Sequence, residues 1–325
     1  MIKELLRLED EEYIHFNEVQ IHDVLVENTS EFMEYLKQFY HQWEKNSTLV
    51  ELPKKQIFES AYAHGDFRVM PCIINADYRI KSVKIIGTNE ENSIIKDKIC
   101  VGKSFLIHPY DNYIYAMFDV CVLSSFRTAA ISVLAYALLK HSAEAKIGII
   151  GSGRIGFYTT LILHKWLGID RFHINDISEK NKMHFLTLAE KYMPNATMHF
   201  INTKQMGTTC NSVFVATDSS TSILNKENAQ NITFISSVGA DANNLSEIDA
   251  DLIDGRSIVT DSHHSMMIGD LKTWEKENII TKDTVVELPT LLHHTMELEE
   301  KILFISTGIA TQDALISQFI YDTLT

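Results

Sequence analysis

Cysteine is scarce in this sequence, and its spacing argues against several kinds of site. The four cysteines, Cys72, Cys100, Cys121 and Cys210, form no CxxC pair, and none lies near a histidine at zinc-site spacing. We therefore expect reduced, mostly buried thiols, as in a cytoplasmic protein, and no bound metal.

Positive charge is also in short supply. Lys and Arg total 29 against 43 Asp and Glu, which gives a formal net charge of −14 at pH 7. Such a balance argues against nucleic acid or an anionic membrane as a partner. A small anionic substrate remains compatible with it, because that substrate needs only a local cationic pocket.

Neither a secretion signal nor a membrane span is expected. Residues 1–16 are acidic and lack the apolar run of a signal peptide. The longest apolar run, residues 121–139, contains Arg127 and several hydroxyl side chains, so we interpret it as a buried helix. The expected location is the cytoplasm.

Two globular domains suit a chain of 325 residues that is 45% apolar and 22% charged. A helical pattern at residues 29–40 predicts a surface helix of the first domain, and strand patterns dominate residues 67–119. From residue 124 onwards, helix and strand patterns alternate. We predict an α/β fold with a Rossmann doubly wound sheet after a strand-rich domain, to which a C-terminal helix, 311–324, could return.

The strongest motif is a glycine-rich turn between a strand and a helix. Residues 147–150 form a predicted buried strand, Gly151, Gly153 and Gly156 follow as GxGxxG, and a helix is predicted from Phe157 to Leu167. In a dinucleotide-binding βαβ unit, these glycines permit the tight turn, the approach of the pyrophosphate and close helix–strand packing. The phosphates lie at the positive end of the helix. The alternative is a glycine-rich loop in a nucleotide-free α/β domain.

An acid follows this motif at the position that selects the cofactor. Asp176 lies 20 positions after the last glycine, at the end of a second predicted strand that covers residues 171–175. A carboxylate there can hold the adenosine ribose hydroxyls and repels a 2′-phosphate, so NAD is predicted rather than NADP. The other expected cofactor-binding residues are Ser152, Arg154 and Ile155 in the turn, and Thr217 and Val238 at the ends of later predicted strands.

A dinucleotide site does not name a reaction, and four further residues are candidates for the chemistry. Lys84 lies inside an apolar strand, where it binds an anion, pairs with an acid, or faces outward from an edge strand. Arg127, in an apolar helix, either contacts a substrate carboxylate or pairs with a buried acid. Arg68, at a strand start, is by itself an exposed arginine. Asp241 follows an apolar strand and either moves protons or caps a turn.

Two pairs of adjacent histidines, His263–His264 and His293–His294, do not predict a metal site. Neighbouring side chains on a strand or helix cannot both face one metal, and no carboxylate spacing completes a ligand set.

Several motifs together resemble the ornithine cyclodeaminase/mu-crystallin family of NAD(P)-dependent enzymes. The resemblance covers most of the chain from Phe67 to the C-terminus. The matching stretches are FRVMP (67–71), SVKIIG (82–87), SSFRTAA (124–130), GIIGSGRIG (148–156), SSVGAD (236–241), IVTD (258–261) and STGIATQD (306–313).

The resemblance implies an architecture and roles for individual residues. It implies a homodimer in which residues 1–123 with 305–325 form the substrate-binding and dimerisation domain, and residues 124–304 form the Rossmann NAD-binding domain. Lys84 and Arg127 match positions that bind the substrate α-carboxylate, Thr128 matches a residue at the cofactor, and Asp241 matches the catalytic acid/base. Lys84 is also assigned a catalytic role.

One position departs from part of the family. By this resemblance, ornithine cyclodeaminases have an acid three residues before the proline of the MP motif, whereas this chain has Arg68 there. A cation there suits a carboxylate and repels a side-chain ammonium. The surroundings of SSFRTAA and KIIG are similar to the siderophore-pathway type that releases 2,3-diaminopropionate.

The predicted activity is therefore NAD-dependent oxidation of a C–N bond next to a carboxylate in an amino or imino acid. Arg127, Lys84 and Arg68 hold the carboxylate, and Asp241 moves protons during imine formation and hydrolysis. Alternatives within the family are ornithine cyclodeaminase, alanine dehydrogenase and ketimine reductase activity. An alternative of another class is a non-catalytic mu-crystallin-like protein that binds NAD(P) and a ligand.

Overall fold

The computed structural model describes most of the chain, and its residues form two compact units. One unit contains Met1–Glu27, Thr48–Ser124 and Ala310–Thr325, and the other contains Asn28–Ser47 and Ser125–Ile309. The described residues are 5–6, 11–45, 48–60, 62–76, 79–89, 94–95, 98, 100–139, 145–229, 231–242, 244–291 and 297–325.

The secondary structure begins with a short strand and two helices, continues with a run of strands, passes into alternating helices and strands, and ends with a helix. The strands are β1 (Ile14–Phe16), β2 (Val50–Glu51), β3 (Gln56–Ser60), β4 (Ala63–Asn75), β5 (Arg79–Thr88), β6 (Cys100–Ile107), β7 (Ile114–Asp119), β8 (Ile147–Ile150), β9 (Arg171–Asn175), β10 (Thr197–Phe200), β11 (Ser212–Val215), β12 (Phe234–Ser237), β13 (Arg256–Thr260), β14 (Val285–Glu287) and β15 (Lys301–Ile305). The helices are α1 (Glu18–Glu27), α2 (Thr29–Lys45), α3 (Val120–Leu139), α4 (Arg154–Leu167), α5 (Glu179–Tyr192), α6 (Thr203–Thr209), α7 (Gly269–Lys276), α8 (Leu288–Leu291) and α9 (Ala310–Leu324).

The first unit is built on a sheet with strand order β1-β7-β6-β5-β4-β2, in which β3 also pairs with β4. Strands β4 to β7 are antiparallel neighbours, and β1 joins β7 in parallel. Side chains along β5 alternate between the two faces, so that Ile80, Lys84 and Ile86 are buried. Helix α9 covers that face, where the hydroxyls of Ser104 and Ser317 lie 3.2 Å apart.

The second unit contains the predicted doubly wound sheet. Its described strands are all parallel, in the order β10-β9-β8-β11-β12-β15-β13-β14. The chain runs outward from β8 through β9 to β10 and then returns to β11 on the other side of β8. The point at which the strand order reverses therefore lies between β8 and β11, and ligands of such sheets bind at that point. The α/β prediction is confirmed.

Helix α3 begins at Val120, one residue before the apolar run 121–139 that is interpreted as a buried helix. The Glu18 carboxylate accepts hydrogen bonds from the N–H groups of Cys121 and Val122, at 3.1 and 2.8 Å. N–H groups in the first turn of a helix have no carbonyl partner within that helix, so Glu18 caps α3 from a distant part of the chain. The helix has the length and hydropathy of a membrane span, yet 67% of its most apolar window is buried inside the protein, as in a core helix.

Helix α2 belongs to the second unit rather than to the strand-rich first domain in which it was expected. Its apolar stripe is buried, and the ring of Phe32 packs edge-on against that of Phe126 at 5.8 Å. Its polar side also bonds within this unit, since Trp166 donates its indole N–H to Glu34 at 2.8 Å. Periodicity identified the helix, but it does not tell which partner the stripe packs against.

Candidate active site

The glycine-rich turn lies at the carboxyl end of β8, next to the end of β11. Gly151 has a φ of +95°, and a Cβ there would lie 2.2 Å from the carbonyl oxygen of Ala216. A Cβ on Gly156 would lie 1.9 Å from the carbonyl oxygen of Gly151. Both contacts are with backbone atoms, which cannot move aside as a flexible side chain can. These two positions therefore require glycine.

Gly153 is different, because a Cβ there would meet no protein atom within 4 Å. Gly153 is exposed and forms the N-cap of α4, with an extended backbone. The N-terminal end of a helix attracts phosphate through its N–H groups and its dipole. The open side of Gly153 thus gives a pyrophosphate direct access to the backbone, so the turn fits a dinucleotide.

Asp176 is fixed in place by the same turn. One of its oxygens accepts the Ser152 N–H at 2.7 Å and the Ser152 hydroxyl at 2.8 Å, and the other accepts the Ser178 N–H at 2.7 Å. Partial burial raises the pKa of Asp176, but these hydrogen bonds outweigh that effect and the pKa lies below its ordinary value. The carboxylate is thus charged and oriented at the end of β9, where an adenosine ribose binds in such folds.

The ends of β11 and β12 are joined by Glu247, a residue that sequence reasoning missed. Its side chain is fully buried, and one oxygen accepts the Thr217 N–H at 2.6 Å and the Thr217 hydroxyl at 2.9 Å. The other oxygen accepts the Ser237 hydroxyl at 2.6 Å and the Gly239 N–H at 2.9 Å. Burial raises the pKa of Glu247, although these donors act in the opposite direction. Four donors converge on one carboxylate and fix both strand ends.

Asp241 follows β12 in the loop that Glu247 holds. Val238 extends the pairing of β12 by donating its N–H to the Val215 carbonyl at 3.1 Å, and the Asp241 N–H donates to the Gly239 carbonyl at 2.8 Å. The Asp241 side chain is half-buried. An acid at the carboxyl edge of the sheet is in a position to exchange protons with a ligand in the crevice.

Arg127 and Thr128 are both buried on helix α3, with 8% and 7% of their surfaces exposed. The guanidinium of Arg127 lies against Gly308, which follows β15. A Cβ on Gly308 would lie 2.1 Å from Nη1 and 2.7 Å from Nη2 of Arg127, and Gly308 has a φ of +77°. The same unit therefore contains the glycine turn, Asp176, Thr217, Val238, Asp241 and Arg127.

Lys84 pairs with a buried acid in the first unit. Its ammonium lies 2.8 Å from an oxygen of Asp313 on α9, and the two side chains are 1% and 2% exposed. Strand β5 is flanked by β4 and β6, so the alternative of an outward-facing lysine on an edge strand is wrong. Asp313 was matched only as part of the STGIATQD motif, and its partner was not foreseen.

Arg68 lies within β4 rather than at a strand start, and it is not an exposed side chain. Its Nε donates to Asp66 at 2.6 Å, and both side chains are largely buried. Asp66 also accepts a hydrogen bond from the Thr88 hydroxyl at 3.1 Å. The negative charge of Asp66 partly offsets the charge of Arg68, a contact that the isolated FRVMP motif did not reveal.

The first histidine pair has structural contacts. His263 bonds through Nε2 to the Val285 carbonyl at 2.8 Å and lies 3.5 Å from Glu287. His293 and His294 lie outside the described residues. Within the part of the chain that the structure describes, no group of three or more His, Cys, Asp or Glu side chains is placed to hold a metal ion.

The thiols of two cysteines are kept in the protonated form by burial. Cys72, Cys121 and Cys210 are buried. Burial raises the pKa of Cys72 and of Cys210 to about 12, which keeps both thiols protonated at neutral pH.

Comparison with known proteins identifies relatives over nearly the whole chain. Alanine dehydrogenase of Archaeoglobus fulgidus is 23% identical over 278 residues, which is 84% of this chain and 84% of that protein. N-((2S)-2-amino-2-carboxyethyl)-L-glutamate dehydrogenase of Staphylococcus aureus is 34% identical over 88 residues, 27% of this chain and 26% of that protein.

A similar solved structure is that of Thermococcus litoralis Delta(1)-pyrroline-2-carboxylate reductase in complex with NADH and L-proline. It superimposes with a TM-score of 0.83 at 20% identity and covers 95% of this chain and 96% of that chain. The model of the ornithine cyclodeaminase/mu-crystallin family matches residues 14–325. This chain belongs to the ornithine cyclodeaminase/mu-crystallin family.

Proposed function

We propose that this protein oxidises a C–N bond next to the carboxylate of an amino-acid substrate and hydrolyses the resulting imine to a 2-oxo acid and an amine. It is an NAD-dependent oxidoreductase, as its relatives named above indicate. The observation that carries the proposal is the glycine turn, where the open side of Gly153 lies at a helix N-terminus and Asp176 is held at the next strand end.

NAD supplies the hydride acceptor when it is bound, and the residues of the turn would hold it. The N–H groups around Gly153 and Arg154 would bind the pyrophosphate, and Asp176 would accept the ribose hydroxyls. The lowered pKa of Asp176 keeps its charge at neutral pH, which disfavours the 2′-phosphate of NADP. Thr128, Thr217 and Val238 are the remaining proposed cofactor contacts.

The substrate carboxylate is proposed to bind to Lys84, Arg127 and Arg68. A guanidinium can make a two-point contact with a carboxylate, and a lysine adds a point charge. Because Arg127 is buried against a glycine turn and Lys84 is buried in a pair with Asp313, both cations are held in defined positions. A fixed carboxylate orients the neighbouring C–H bond for transfer of its hydride.

Asp241 is the proposed acid/base. Its carboxylate accepts the proton that the substrate nitrogen loses as the imine forms and releases that proton to solvent, after which it accepts a proton from the water that attacks the imine carbon. The resulting carbinolamine collapses to a 2-oxo acid when the proton returns to the departing amine. Lys84, as a buried ammonium, would stabilise the negative charge of the carboxylate throughout.

A substrate that joins two amino acids through nitrogen is the preferred candidate. For N-(2-amino-2-carboxyethyl)-L-glutamate, the products would be 2-oxoglutarate and 2,3-diaminopropionate. The 34% identity to the staphylococcal enzyme over 88 residues supports this choice. Arg68 supports it as well, although its pairing with Asp66 weakens the expected repulsion of an ornithine ammonium. Ornithine, alanine and cyclic imino acids are the alternatives.

A homodimer is proposed from the exposed face of the first sheet. Phe67 and Ile85 are 49% and 43% exposed on the face opposite α9, and Phe67 stacks on the exposed Phe58 with 4.7 Å between ring centroids. An apolar sheet face of this kind suits a protein–protein contact. Nucleic acid and membranes are not proposed as partners, and a cytoplasmic location stays a prediction.

The test is NADH formation with a panel of amino acids. Purified protein and NAD are mixed with N-(2-amino-2-carboxyethyl)-L-glutamate, L-alanine, L-ornithine or L-proline, and products are identified by mass. NADH binding without turnover of any member, in either direction of the reaction, would favour the mu-crystallin-like binding role.

The replacement of Asp241 by Asn tests the mechanism. We expect Asp241→Asn to leave NADH affinity within about twofold and to lower turnover by about 10²-fold or more, because general acid–base catalysis contributes that much. Asp254→Asn is the matched control, since Asp254 is an exposed acid of the same unit. If the Asp241 variant turns over at nearly the wild-type rate, this residue has no role in the mechanism.

A further inference from the structure

We propose that the turn Ser306–Thr307–Gly308, held by the buried carboxylate of Asp261, is a positioning device for the Arg127 guanidinium. The inference rests on the proposed function, in which Arg127 binds the substrate carboxylate. These residues do not touch the substrate in this proposal. They act through Arg127 and thereby set the affinity for the carboxylate.

The contact between Gly308 and Arg127 is direct. A Cβ added to Gly308 would lie 2.1 Å from Nη1, 2.7 Å from Nη2 and 2.8 Å from Cζ of Arg127. The whole guanidinium thus lies against the glycine backbone rather than touching it with one atom. Because Gly308 also has a φ of +77°, a side chain is excluded there by both backbone conformation and space.

On its other side, the turn is held by the hydroxyls of Ser306 and Ser265, which both donate to the carboxylate of Asp261. The Ser306 hydroxyl donates to Asp261 at 2.5 Å and accepts the Gly308 N–H at 3.2 Å. Ser265 donates to the other oxygen of Asp261 at 2.7 Å and accepts the Thr307 N–H at 3.1 Å. Asp261 is 1% exposed. The N–H groups of Thr307 and Gly308 are therefore linked, through these two hydroxyls, to one buried carboxylate.

This arrangement gives the arginine a rigid support. An arginine side chain has several rotatable bonds, and holding its planar group in one orientation reduces the entropy lost when it binds a carboxylate at two points. Strand β13 supplies the acid next to its end and strand β15 supplies the turn, and these strands pair in parallel. The support is thus built on two sheet strands, which move less than a surface loop.

In the test, Gly308 is replaced by Ala, and both KM for the amino acid and the affinity for NADH are measured. The new Cβ would lie more than about 1 Å inside ordinary contact distance, so the guanidinium must shift. A misplacement of that size can lower a rate by about 10²-fold. We expect KM for the amino acid of the panel that is turned over to rise at least about tenfold, while NADH affinity, measured by fluorescence titration, stays within about twofold.

Gly255 provides the matched control. It has a φ of +70° in the same unit, but a Cβ there would meet nothing within 4 Å. Gly255→Ala therefore has the same kind of backbone strain without the collision. If both variants raise KM equally, strain alone explains the effect and the positioning role is overturned.

A charge-dependent readout separates positioning from general damage. Binding of the turned-over amino acid and of its carboxamide to the NADH-bound protein is measured by calorimetry. We expect Gly308→Ala to weaken the carboxylate at least tenfold and to change the neutral amide by less than about threefold. Equal losses for both ligands would contradict the inference. If Gly308→Ala does not fold, Ser306→Ala, which removes the bridge to Asp261, is measured in the same way and is expected to show a smaller loss of the same selectivity.

Replacement of Arg127 distinguishes the two proposals. In Arg127→Met, Gly308→Ala should cause no further loss of carboxylate affinity. If Arg127→Met leaves carboxylate affinity unchanged, the proposed function fails. If Arg127→Met lowers it and Gly308→Ala does not, the proposed function stands and the positioning role is refuted.

Discussion

The buried pair of Lys84 and Asp313 predicts opposite outcomes for single and double replacements. The two charged atoms lie 2.8 Å apart and the side chains are almost completely buried. Removal of one partner takes the opposite charge away from the other buried group, and breaking a buried pair in this way typically costs about 3–5 kcal/mol. Replacement of both by apolar groups of similar size is often neutral or stabilising. We therefore expect Lys84→Met or Asp313→Leu to destabilise the first unit by about 3–5 kcal/mol, and the double variant to recover most of that loss.

The assay must report on the first unit. All three tryptophans belong to the second unit, so their fluorescence does not follow unfolding of the first. Hydrogen exchange of peptides from β5 and α9, read by mass spectrometry together with circular dichroism in urea, measures the local stability. Lys103→Ala is the control in the same unit, because the more exposed pair of Lys103 with Asp119 is worth at most about 1 kcal/mol.

Activity in the same variants separates stability from function. If Lys84 binds the substrate carboxylate, the double variant should be stable and still inactive, because its apolar replacements cannot bind an anion. A double variant as unstable as the single ones would refute the charge-burial reasoning. A stable double variant with wild-type turnover would remove Lys84 from the site.

Two further predictions concern the cofactor. Ser152→Ala removes a hydrogen bond to Asp176, so NAD affinity should fall a few fold and the preference for NAD over NADP should weaken in fluorescence titrations. The pKa of Asp176 is lower in the folded protein than in the unfolded chain, so its charge stabilises the fold above the unfolded pKa, and this stabilisation is lost as the pH falls through the folded-state pKa. In urea titrations, the stability difference between wild type and Ser152→Ala should therefore shrink below about pH 4. Gly153→Val should fold normally yet lose NAD affinity at least about tenfold, whereas Gly156→Val should fail to fold, because a Cβ meets open space at Gly153 and the Gly151 carbonyl at Gly156. Equal behaviour of the two variants would contradict this steric argument.

The parts of the fold that local patterns determine were predictable. The strands predicted at residues 147–150 and 171–175 agree with β8 and β9 residue by residue, because the first is a short apolar run ended by a glycine turn and the second has alternating apolar residues ended by an acid. Helix α4 was expected from Phe157 but begins at Arg154. Its first turn contains glycine, which a periodicity argument does not count as helical, although the close packing of Gly156 on the Gly151 carbonyl is what joins helix and strand.

Contacts between distant parts of the chain were not predictable. Glu247 lies in a polar stretch, LSEID, with no pattern that marks it as buried. Its burial follows from four donors on two separate strand ends, and nothing in the local sequence indicates that they converge. The same holds for Glu18, which caps a helix 103 residues away along the chain. Such residues are identified only once the strand order is known.

The motif STGIATQD shows why a short segment can be diagnostic before its function is understood. It contains the end of one unit and the beginning of the other, since the division falls between Ile309 and Ala310. On one side of that division, Gly308 supports the guanidinium of Arg127. On the other side, Asp313 pairs with the ammonium of Lys84. Two cations proposed to bind the same carboxylate thus each depend on this one stretch of eight residues. The motif is constrained at Gly308 by space and backbone conformation and at Asp313 by buried charge, and these are different physical demands.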